Sequence, residues 1–131
     1  MEFDARWTLR MMVYPSANLK IGVKSIINDG LNIIESNAGF YGYVCENNVV
    51  FDNCGHIINL PAPYRFGGND IIIVRLTIND AIQRLSFYKN GERIYLLTQE
   101  GLPTAQDIYY KLEIRIKNVG ESVSLLNFIT K

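Results

Sequence analysis

The residues of this chain best suited to nucleophilic, acid–base or metal chemistry are His56, Cys45 and Cys54. His56 is the only histidine, so any Ser-His-Asp or Cys-His relay must pass through it. Cys54 stands two positions earlier, a spacing that along a strand puts both side chains on one face. Gly55 between them marks a turn rather than a strand, and a lone histidine in a turn is a surface or structural group before it is a base. No catalytic residue is therefore expected. The Cys-x8-Cys-x-His spacing lacks the tight Cys-x2-Cys knuckle of structural zinc sites, and with no second histidine to complete a ligand set no metal is expected. In a reducing compartment the two cysteines read as free thiols ahead of a disulfide.

Other groups that carry chemistry are equally dispersed. Glu35, Asp52, Asp70 and Glu113 fall in separate segments, with no spacing that would pair them as acid and base. Asp70 lies in a turn, where a carboxylate accepts backbone hydrogen bonds. Gly67-Gly68 is followed by neither a lysine nor a helix start, so it is no phosphate loop. Phe40, Tyr41 and Tyr43 lack the basic surround of a base-stacking platform and read as sheet-packing residues. No cofactor is implied.

Composition narrows the partners. Thirteen basic and thirteen acidic residues cancel, which withholds the long-range field that draws proteins to nucleic acid or anionic membrane. Neither partner is expected. No uninterrupted apolar run exceeds four residues, against the roughly 20 that span a bilayer. The opening Met-Glu-Phe-Asp-Ala-Arg has no basic region followed by an apolar stretch, so the expected location is intracellular and cytoplasmic. A length of 131 residues suits one domain with one core, expected to be monomeric on its own.

The elements that must position these groups are strands. Trp7, Leu9, Met11 and Val13 alternate with polar or mixed neighbours, as do Ile72, Val74, Leu76 and Ile78 in the segment 71–78. Further strands are expected over 19–27, 49–51, 57–60, 84–89, 92–97, 111–117 and 122–128, with an aromatic stretch at 40–44. Asn90-Gly91 is the strongest hairpin signal, because a type I′ turn needs positive φ at both central residues. A two-residue loop there sets Lys89 against Glu92, Tyr88 against Arg93, Phe87 against Ile94 and Leu85 against Leu96. Residues 79–83 read as a loop. Many short strands with frequent turns predict an all-β, antiparallel two-sheet β-sandwich with little or no helix.

Taken in order, Ile21-Gly22-Val23, the segment 35–43, Asn69-Asp70-Ile71-Ile72, Leu85-Ser86-Phe87-Tyr88-Lys89-Asn90-Gly91-Glu92 and the segment 123–128 resemble the SPRY domain over roughly residues 6–128. The PRY extension is absent, Asn69 replaces the usual glycine before Asp70, and Ile73 stands where the family often has glycine. The resemblance implies a bent, concanavalin-like or jelly-roll-like sandwich that binds a protein or short peptide through loops at one rim. Transferred by location, the rim positions are Asn18, Asn32, Ile33, Ile34, Tyr64, Arg65, Lys117 and Asn118. Two other readings remain beside it: a structural subunit that buries a sheet face, and a lectin-like carbohydrate-binding domain. In the latter case the sole tryptophan, Trp7, sits in a strand and is expected in the core instead of a sugar site.

Overall fold

Strict alternation along 71–79 decides which way the central strand faces. Ile72, Val74, Leu76 and Ile78 are buried, while Ile71, Ile73, Arg75 and Thr77 on the other side are half-buried. Burying each such aliphatic side chain stabilises the fold by about 1.5–3 kcal/mol. The computed structural model describes residues 3–12, 19–28, 30, 33–44, 47–51, 57–60, 68–99, 107–116 and 122–131. The strands are β1 (Phe3–Met12), β2 (Leu19–Asn28), β3 (Ile33–Val44), β4 (Asn47–Phe51), β5 (Ile57–Leu60), β6 (Ile71–Asn79), β7 (Ile82–Lys89), β8 (Glu92–Gln99), β9 (Asp107–Ile116) and β10 (Ser122–Thr130).

They form two antiparallel five-stranded sheets: a first in the order β10-β1-β6-β7-β8, and a second in the order β5-β4-β3-β2-β9. The expected all-β sandwich is thus the observed architecture. Its core lies between the sheets. From the first come Ala5, Trp7, Leu9, Met11, Ile72, Val74, Leu76, Leu85, Phe87 and Ile94; from the second come Ile21 and Val23, with Leu112 and Ile114 packed against them. Phe3 of β1 stacks on Tyr110 of β9 with ring centroids 5.9 Å apart, which ties the two sheets together at one edge. Trp7 is 7% exposed and stacks on Phe128 of β10, as its strand position requires.

Two local expectations need correction. Residues 79–83 are not a loop, because β6 runs to Asn79 and β7 begins at Ile82. The connection is a two-residue turn in which Asp80 and Ala81 take φ of 52° and 61°. Aspartate tolerates the left-handed region, and continuous pairing of β6 with β7 compensates for the less suited alanine. The second correction concerns the register beyond Asn90-Gly91. Lys89↔Glu92 and Tyr88↔Arg93 pair as expected, but Phe87 faces Tyr95 and Leu85 faces Leu97. A β-bulge inserts Ile94, so that Ile94 packs inward and Leu96, expected on the apolar side, turns outward and is 36% exposed.

The hairpin turn itself is as the sequence predicts, with φ of 50° at Asn90 and 89° at Gly91. Asn90 also ties the hairpin to the start of β6. Its side-chain oxygen accepts from the Ile71 N–H at 2.8 Å, and its amide donates to Asp70 at 3.0 Å. Asp70 in turn lies 3.8 Å from the Lys89 ammonium.

Candidate functional site

Strand ends locate the predicted rim. Leu19, the first residue of β2, pairs with Ile116, the last of β9, and Lys20 pairs with Gly42 near the end of β3. Leu60, the last residue of β5, pairs with Asn48, itself opposite Tyr43, so β5 finishes at this same end. The positions following Leu60 and Ile116, and the one preceding Leu19, are where Tyr64, Arg65, Lys117, Asn118 and Asn18 fall in the sequence. Those five residues lie outside the described residues, as do His56, Cys45 and Cys54.

Ile33 and Ile34 belong elsewhere. They pair with Asn28 and Ile27, the end of β2 remote from Leu19. Ten residues of extended chain separate the two ends by about 30 Å. A single rim therefore does not hold all eight positions: Ile33 and Ile34 are attached to the opposite end of the sheet from Leu19, Leu60 and Ile116, and Asn32 lies outside the described residues. Sequence order gives no warning of this, because which end a loop joins depends on how many strands precede it.

The first sheet presents a different constellation on its outward side. Residues between buried ones point away from the core, which places Asp4, Arg6, Thr8 and Arg10 of β1 outward, with Ile71, Ile73, Arg75 and Thr77 of β6. Continuing across the sheet, Arg84, Ser86 and Tyr88 of β7 face outward, followed by Arg93, Leu96 and Thr98 of β8. Five of the chain's seven arginines thus share one face, on which Asp4 is the single carboxylate among the described residues. Arg6 and Arg75 are directly opposite in neighbouring strands. Arg10, Arg84 and Arg93 are exposed.

Arg75 shows what these guanidinium groups do with a carboxylate. Its Nε donates to Asp4 Oδ1 at 3.2 Å and its Nη2 to Oδ2 at 3.0 Å, a two-pronged pair across β1 and β6. The hydrogen bond from Arg75 holds the Asp4 carboxyl below its ordinary range, despite an opposing contribution from burial. The same bond, followed by weaker contributions that include the Tyr88 hydroxyl, raises the Arg75 guanidinium further above its already high value. Beside them, an open cleft lined by Phe3, Asp4, Thr77, Ile78, Asn79 and Lys131 closes this corner of the sheet. Among the described residues, no three His, Cys, Asp or Glu side chains converge on a common point that could hold a metal ion. Tyr110 is held protonated above its ordinary range by burial, which suits a packing role.

Of the strands, β10 lies at the sheet edge and keeps Leu125, Leu126, Phe128 and Ile129 exposed, with no charged residue from Ser122 to Thr130. The expected hot-spot positions omit both this edge and the arginine face. The alternation of arginines with buried residues is visible along β1, but only pairing of β1 with β6, β7 and β8 shows that the four strands expose their arginines on the same side.

No family model matches the chain, and no curated protein matches it. Among solved structures, an alginate lyase from Pseudomonas aeruginosa superposes with a TM-score of 0.60 at 17% identity, covering 99% of this chain. The chain spans 64% of the length of that enzyme. The likeness extends over the whole β-sandwich and concerns the fold.

Proposed function

We propose that this chain is a non-catalytic recognition domain that holds a protein or peptide partner on the connections at one end of its sandwich. The observation that carries the reading is topological: the positions of Asn18, Tyr64-Arg65 and Lys117-Asn118 adjoin strands that begin or finish at the same end of the second sheet. A rigid two-sheet frame with variable connections is the usual carrier of binding residues. The SPRY-like motifs point the same way, and Tyr64 and Arg65 are of the residue types that dominate interface energetics. The register sets Ile33 and Ile34 apart from this surface.

The test is affinity capture of a partner with the intact chain, followed by calorimetry of that partner against Tyr64→Ala, Arg65→Ala and Lys117→Ala. At least one substitution should weaken binding about thirtyfold, the equivalent of ~2 kcal/mol, with the melting temperature unchanged. Wild-type affinity in all three variants overturns the proposal.

A further inference from the structure

We propose that the outward face of the first sheet docks an acidic segment of a protein partner, its carboxylates taken by the guanidinium groups of Arg6, Arg10, Arg84 and Arg93. This rests on the recognition reading above and assigns it a second surface and a partner chemistry. Charge complementarity carries the argument. Among the described residues, five arginines against one aspartate leave an excess of four positive charges on this face, although the chain as a whole is neutral. Like charges collected on one face cost stability unless something offsets them; among the described residues Arg75 is the arginine in an ion pair, with Asp4, whose carboxylate also feels the charge of Arg6. The other four arginines make no ion pair among the described residues.

Dimensions fit an extended chain. Four strands at ~4.8 Å make a field about 14 Å across, and the six residue steps from the row of Arg84, level with Asp4, to Arg10 make it about 20 Å long. Carboxylates spaced two residues apart on a docked strand would fall about 7 Å apart, within reach of arginine side chains on alternate rows. The guanidinium fork matches a carboxylate in two bonds, as the Asp4–Arg75 pair demonstrates on this same face.

The neighbours of the arginines favour a peptide over other polyanions. Ile71, Ile73 and Leu96 offer apolar contact between the charges, which a polypeptide with mixed side chains can use. Unpaired bases are held by stacking on exposed aromatic side chains. Among the described residues, the aromatic side chain on this face, Tyr88, is half-buried.

The experiment uses the intact chain and a fluorescein-labelled peptide of four Glu-Glu-Leu repeats, with a Gln-Gln-Leu peptide, heparin and single-stranded DNA as competitors. Anisotropy should show binding of the acidic peptide at about 0.05 M salt, loss of at least about tenfold in affinity at about 0.5 M, and no binding of the Gln-Gln-Leu peptide. Arg10→Gln, Arg84→Gln and Arg93→Gln combined should weaken the acidic peptide at least tenfold with circular dichroism and melting temperature unchanged, since all three side chains are exposed. The Tyr64→Ala/Arg65→Ala/Lys117→Ala variant should bind it like wild type. Unchanged affinity in the arginine variant overturns the docking face and leaves the rim reading standing. Loss of the captured partner by neither variant overturns both. Heparin or DNA binding tighter than the acidic peptide, and through the same arginines, overturns the choice of a protein segment as the occupant.

Discussion

Leu76→Ala tests the phase of the central strand, and with it the direction in which every outward arginine points. Leu76 is fully buried in a row with Ala5 of β1 and Leu85 of β7. The substitution removes three carbons, about 2.4 kcal/mol at ~0.8 kcal/mol per buried methylene. A small neighbour on one side, Ala5, cannot swing in to fill the space, so part of the cavity should persist and bring the loss to about 3–4 kcal/mol. For a domain of this length, that lowers the melting temperature by roughly 10–14 °C. Thr77, half-buried on the outward side, should lose less than about 1 kcal/mol on conversion to alanine. Urea denaturation of both variants, with unchanged m-values, is the measurement. Comparable losses at the two positions would mean that β6 does not separate an apolar from an arginine-bearing side, and would remove the geometrical basis of the docking face as well.

Gly91→Val should cost about 1–3 kcal/mol by urea denaturation: no neighbouring atom meets a side chain at Gly91, so the whole cost is backbone strain at φ 89°, and Gly91→Ala should cost less than valine. Asp4→Asn should flatten the acid limb of the stability profile. The Asp4 carboxyl is depressed by the hydrogen bond from Arg75, so its ionised form stabilises the fold above the unfolded value of about 3.9 and loses that contribution as pH falls below it. The pair is partly exposed, which limits its worth at neutral pH to about 1 kcal/mol; melting curves from pH 7 down to about pH 3 that stay parallel in wild type and variant would show that it contributes nothing.

Local physics made much of the fold legible in the residues. A period-two alternation such as Ile72, Val74, Leu76 and Ile78 has one buried side whatever the strand packs against, and positive φ at Asn90-Gly91 makes a tight hairpin without help from the rest of the chain. Trp7 follows from the same alternation. Asp80-Ala81 carries a weaker local preference, and the long pairing of β6 with β7 imposed a turn that the residues alone do not announce. That pairing also carried Gln83, a polar residue read as loop, into a buried position, since inward places on β7 are set by alternation from Leu85 and Phe87. A bulge at Ile94 likewise shifted Tyr95, Leu96 and Leu97 by one place, because a backbone insertion is decided by how two strands settle against a core.

Neutral net charge describes the chain's composition, and it was silent on where the charges go. Strand order alone decided that arginines far apart in sequence share one face, since each strand contributes only one or two and the sheet sums them. Strand direction alone decided that Ile33 and Ile34 adjoin the far end of the sheet from Leu19 and Ile116. Pattern within a strand is a local property that solvent and core read directly, whereas adjacency between strands is a long-range property that exists only once the sheets have formed.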